Sequence, residues 1–152
     1  EHQLERTITI FPWIAIIDKF QHWVYENPNH TIEERTSNWT SILKEFSTES
    51  IDYTGLDMYR AIGWQRQLHL FEVPFYYIEY AIAQLGALAV WRNYCQNPKK
   101  ALEQYIAALS LGYTQPMKTI YATAGIEFNF SKPYIQELMN FLADQIKKIE
   151  ES

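Results

Sequence analysis

The densest run of chemically capable side chains in this 152-residue chain lies between Trp64 and Tyr80, and it holds His69, Tyr76, Tyr77 and Tyr80. A helix opening at Pro74 sets Tyr76 and Tyr80 four apart and Tyr77 and Tyr80 three apart, spacings that share a helix face. Tyr77, Tyr80 and Gln84 would line one edge of that helix, with Ile78, Ile82, Leu85 and Ala89 on the other. His69 stands one loop upstream, in reach of the first turns where the chain doubles back at Val73-Pro74. Phenols beside an imidazole are neutral hydrogen-bond donors, a set able to stabilise a developing oxyanion. An aromatic stripe at helical spacing serves a packed core equally well.

Other chemistries find less support. A helical zinc site needs two His four apart with a Glu after the first, so that both imidazoles face one ion. The histidines are His2, His22, His30 and His69; none precedes a Glu and no pair is four apart. Cys95 is the only cysteine, has no basic neighbour in the sequence, and is predicted to be a buried, inert thiol. No Gly-x-Ser-x-Gly elbow and no glycine-rich phosphate loop is present.

The elements that must position these residues read as helices. Length and a 47% hydrophobic, 20% charged composition are those of a single globular region rather than a disordered chain. A net charge of −5 gives no electrostatic footprint for nucleic acid or an anionic membrane, and no apolar run is long enough to span one. The single cysteine points to a reducing, cytoplasmic compartment. The opening Glu1-His2-Gln3-Leu4-Glu5-Arg6 has neither an initiator Met nor a signal peptide's apolar core, and reads as a chain entered in its middle.

Apolar spacing predicts a first helix over 4–25, kinked or split at Pro12, with His22 packed on it. A Thr31–Glu34 capping box opens a second, and 47–73 reads as short helices and turns. The longest helix is expected over 75–95, another over 98–111 stopped by Gly112, a short one over 114–125, and a terminal one from Ser131-Lys132-Pro133. The fold class is all-α, a helical bundle, with residues 1–152 as one helical region.

Two blocks carry a family likeness: Asp18-Lys19-Phe20-Gln21-His22-Trp23, and the run from His69 through Phe71-Glu72-Val73-Pro74 and the tyrosines to Gln84-Leu85-Gly86. With Gly112-Tyr113-Thr114 and the run from Ala124 to Ser131, they span the chain in order. The sequence resembles the C-terminal part of oligoendopeptidase F, a branch of the thimet-oligopeptidase-like zinc metallopeptidases. The resemblance implies a helical peptidase with a channel for short peptides. It also implies zinc held by a His-Glu-x-x-His helix and a further Glu upstream of this sequence, so that none of this chain's residues is a zinc ligand.

By the same resemblance His69 matches a substrate-binding histidine that donates to the peptide backbone. Tyr80 matches the oxyanion tyrosine, through the spacing to Gln84, with Tyr77 and Tyr76 as alternatives; Tyr76 and Tyr77 also contact substrate. The thimet branch has a glycine-rich loop where this chain has Phe71-Glu72-Val73-Pro74. The expected partners are short peptides and the missing N-terminal part of the same protein, with no nucleic acid or membrane. Alone, the chain is expected to be inactive and to self-associate through its uncovered aromatic face. A freestanding helical module that binds a partner peptide or helix is the competing expectation.

Overall fold

The computed structural model describes residues 2–47 and 52–151, apart from the side chains at positions 2 and 3, so His2's side chain and residues 48–51 lie outside the described residues. The chain is all-α. Its described residues form α-helices and one turn of 3-10 helix, with no strand among them. They make two compact units, one of residues 9–81 and one of residues 1–8 with 82–152.

In the first of these, α1 (His2–Glu26) supplies Ile14, Ile17 and Phe20, buried at helical intervals. Pro12 does not split it. Proline removes one backbone donor, and here that falls next to the exposed Ile8 and on an exposed turn, where water can take up the freed carbonyl. α2 (Ile32–Phe46) starts at the predicted capping box: the Thr31 hydroxyl accepts from the Glu34 amide at 3.1 Å, and the Glu34 carboxylate accepts from the Thr31 amide at 2.7 Å. Lys19 and Glu45 pair at 2.6 Å on the exposed side of the two helices.

Between α1 and α2 sits Trp39, which is fully buried with Ile16, Ile17, Phe20 and Ile42. Its ring meets Phe20 edge-on at 5.0 Å and Trp13 at 6.0 Å. Its indole N–H donates to the Arg60 carbonyl at 2.9 Å. That bond ties down the stretch read as irregular in the sequence, which forms α3 (Asp57–Ala61), the 3-10 turn Gly63–Arg66 and α4 (His69–Glu72). Trp64, Leu70 and Tyr77 pack against the same core.

The other unit centres on α5 (Ile78–Gln96) and α8 (Lys132–Glu150), which bury Leu85, Leu88 and Ala89 on one side and Leu138 and Leu142 on the other. Trp91 meets Phe141 edge-on at 4.9 Å, and Arg92 pairs with Glu137 at 2.6 Å. α6 (Pro98–Leu111) is capped by the Asn97 side chain, and Gly112, at φ +55°, ends it. α7 (Met117–Thr123) is shorter than the 114–125 expected, because Pro116 pushes the residue before it out of helical geometry. Gly86 lets α7 approach α5: a Cβ there would lie 2.9 Å from the Tyr121 hydroxyl, which donates to the Ile82 carbonyl at 3.2 Å.

Cys95 corrects an expectation, since it is exposed rather than buried. Residues two apart fall on opposed sides of a helix. Asn93 takes the inward side, donating to the Gly125 carbonyl at 2.7 Å, and so turns Cys95 outward. The core of the 9–81 unit has a direct test. Trp39→Ala should cost about 3–5 kcal/mol of folding stability in urea denaturation. A loss below about 1 kcal/mol would mean that the indole does not hold this unit together.

Candidate functional site

His69, Tyr76, Tyr77 and Tyr80 all belong to the 9–81 unit and come together there. The imidazole is the hub of the cluster. Tyr76 stacks on it at 6.2 Å, and Tyr77 and Tyr80 meet it edge-on at 4.9 and 5.7 Å. His69 Nε2 lies 3.3 Å from the Tyr80 hydroxyl, within hydrogen-bond reach. Tyr80 and Tyr76 remain 44% and 47% exposed, so two phenols face solvent while Tyr77 leans into the core. A phenol held by an imidazole and open to water can donate to an oxygen of an incoming molecule.

The local backbone differs from the sequence reading, which put the helix start at Phe75. α5 begins at Ile78. The reason is Phe75, whose φ of +57° is left-handed and cannot enter an α-helix. Tyr76 and Tyr77 therefore occupy a turn before the helix, closed by Glu79 and Tyr80 amides donating to the Tyr76 and Tyr77 carbonyls. Tyr76 and Tyr80 still meet, at 5.7 Å, but through this turn rather than along a helix face. Gln84, expected on the same edge, donates instead to the Thr7 hydroxyl at 3.4 Å within the other unit.

A non-glycine residue in the left-handed region costs about 1–2 kcal/mol and persists only where its surroundings hold it. Here the holder is Gln21, 3% exposed, whose side-chain carbonyl accepts from the Phe75 amide at 2.9 Å. His22 and Tyr25 flank the Phe75 ring at 4.8 and 4.9 Å. His22 was expected to be a packed helix residue; its side chain is 55% exposed, facing Asp18 on one side and Phe75 on the other. Gln21 was missed in the sequence, although a signal existed. It continues the buried series Ile14, Ile17 by four residues, and a polar residue in that series needs a partner.

Gln67 and Trp13 were missed as well. The Gln67 amide nitrogen lies 2.6 Å from His69 Nδ1, and its carbonyl accepts from the Trp13 indole N–H at 3.3 Å. Both ring nitrogens of His69 are thus engaged inside the protein, Nδ1 with Gln67 and Nε2 with Tyr80. Among the described residues no three His, Cys, Asp or Glu side chains converge as a metal-binding group. The described residues therefore do not fit a zinc site. No described helix is long and apolar enough to cross a membrane.

The other unit carries an apolar groove of about 720 Å³ between α5, α6 and α7. Leu102, Tyr105, Leu109, Tyr113 and Met117 line it and are substantially exposed.

The helical scaffold corresponds to part of a class of helical peptidases. The profile of peptidase family M3 matches residues 1–140, and the chain belongs to that family. Among solved structures, PZ peptidase A, solved with an inhibitor, is similar at 28% identity and a TM-score of 0.82, over 97% of this chain and 26% of that one. A protein assigned as an oligoendopeptidase F is similar at 30% identity and a TM-score of 0.75, over 99% of this chain and 26% of that one. This chain therefore spans about a quarter of the length of either. No curated protein matches it.

The Gln21 clamp makes a prediction of its own. Gln21→Ala leaves the Phe75 amide unpaired beside a cavity and should lower stability by about 1–3 kcal/mol. Hydrogen exchange at the Phe75 and Tyr76 amides should rise with it. Unchanged exchange there would show that the turn does not lean on Gln21.

Proposed function

We propose that this chain is the substrate-side, C-terminal portion of a zinc metallo-oligopeptidase catalytic domain that cleaves internal bonds of short peptides. The observation that carries the reading is the Tyr80 hydroxyl, solvent-facing and 3.3 Å from His69, in a chain of the M3 peptidase family. Metal chemistry belongs to residues outside this chain. This chain's own contribution is binding and charge stabilisation. A peptide carbonyl docks against the Tyr76–Tyr80 face. As that carbonyl becomes tetrahedral, its oxygen gains charge and takes a hydrogen bond from the Tyr80 phenol. Tyr76 and Tyr77 wall the subsite, and His69 holds Tyr80 in place, meeting the substrate backbone only when that hydrogen bond opens. The same reading places the protein in the cytoplasm.

The groove in the other unit supports a second element of this reading. Its exposed apolar side chains suit coverage by the remainder of the same protein, since the similar solved chains are about four times longer. The helical-module alternative would fill the groove with an unrelated peptide instead.

Two experiments separate these readings. In the full-length peptidase, Tyr80→Phe should lower kcat about 10²–10³-fold, with KM and metal content little changed. Full activity in that variant would sink the oxyanion assignment. The 152-residue chain alone, given zinc and a quenched fluorescent peptide, should show no zinc-dependent turnover and should self-associate in sedimentation velocity. A monomer at high concentration that cleaves peptide would overturn the partial-domain reading.

A further inference from the structure

Three hydrogen bonds run in series from the core of the 9–81 unit to its exposed phenol: Trp13 to Gln67, Gln67 to His69, and His69 to Tyr80. Each has only one consistent polarity. An indole nitrogen can donate but never accept, so the atom of Gln67 facing Trp13 at 3.3 Å must be its carbonyl oxygen. The amide nitrogen of Gln67 then faces His69 Nδ1 at 2.6 Å, and an amide nitrogen also only donates. Nδ1 is therefore the acceptor, and the ring's proton sits on Nε2. Nε2–H in turn donates to the Tyr80 oxygen at 3.3 Å. Once that oxygen accepts from His69, the phenol's own O–H has no partner on the imidazole and is available to the 44% exposed side.

We infer that Gln67, oriented by the Trp13 indole, is a positioning residue that selects the Nε2–H tautomer of His69 and thereby turns the Tyr80 proton outward, toward a substrate oxygen. The opposite tautomer would reverse the last link. Nε2 would accept from the Tyr80 hydroxyl, and the phenol would offer substrate a lone pair where a developing oxyanion needs a donor. A side chain that never touches substrate thus sets the sign of the hydrogen bond that does. The inference rests on the oxyanion role proposed for Tyr80, but its first half is a statement about one proton and can be tested without any activity.

The isosteric variant Gln67→Glu discriminates. Its carboxylate still accepts from Trp13, but the oxygen facing Nδ1 can only accept, which forces the proton onto Nδ1. Histidine-labelled protein is examined by ¹⁵N NMR, with His69 assigned by its own substitution, at a pH where the ring carries one proton. The native chain should show a protonated Nε2 and a bare Nδ1, and Gln67→Glu the reverse. A bare Nε2 in the native chain overturns the inference without recourse to any variant, as does an unchanged tautomer in Gln67→Glu. In the full-length peptidase at the same pH, Gln67→Glu should lower kcat by up to about 10²-fold with KM little changed. Combining it with Tyr80→Phe should add nothing beyond Tyr80→Phe alone. Independent, multiplying losses would show that Gln67 does not act through Tyr80. A fully active Tyr80→Phe with the tautomer switch intact would remove the oxyanion role and leave the tautomer assignment standing.

Discussion

The burial of one indole governs the 9–81 unit. Trp39 fills the space between α1 and α2, and its N–H has to find an acceptor once the ring leaves water. The Arg60 carbonyl is that acceptor, at 2.9 Å. This single bond links an apolar core to a segment with weak helix propensity of its own. Because 57–66 is held there, Trp64 can stack on the core and Gln67 can reach Trp13, on the same helix that supplies Phe20. His69 follows two residues later. The placement of the imidazole is thus a consequence of the packing of Trp39, thirty residues earlier in the chain.

α1 does a second service through Gln21. A buried amide side chain is costly unless it is used, and this one holds the Phe75 N–H in a left-handed turn. The turn delays the start of α5 by three residues relative to a helix opening at Phe75. That delay puts Tyr76 and Tyr77 on a turn and Tyr80 on the first helical turn, and the three phenols surround the ring instead of forming a stripe. Two long-range bonds from α1, Trp13 to Gln67 and Gln21 to Phe75, bracket the cluster at both ends, each spanning 54 residues. Rigid support of this kind suits a group that must present a hydrogen in one direction.

Much of the scaffold was legible beforehand because its signals are local. Thr31 with Glu34, Asn97 with Pro98, and Gly112 each act within one helical turn, so reading them needs no knowledge of the fold. Pro12 does not split α1, because the cost of a missing amide depends on whether its would-be partner is exposed, which spacing does not report. The exposure of Cys95 was not legible for a similar reason, since which face of its helix turns inward is decided by the contact of Asn93 with Gly125.

The sequence by itself determined the all-α class, most helix boundaries and which four aromatic side chains form the candidate cluster, since residue type and short-range spacing carry that information. Family likeness was also readable there, from ordered blocks that the profile match to residues 1–140 bears out. Only the tertiary structure decided how those side chains meet. The left-handed Phe75, the Gln21 clamp and the Trp13–Gln67–His69–Tyr80 series all depend on contacts between residues far apart in the chain. A hydrogen bond's partner and polarity are settled by which groups the fold brings within 3 Å or so of one another, and no local pattern encodes that.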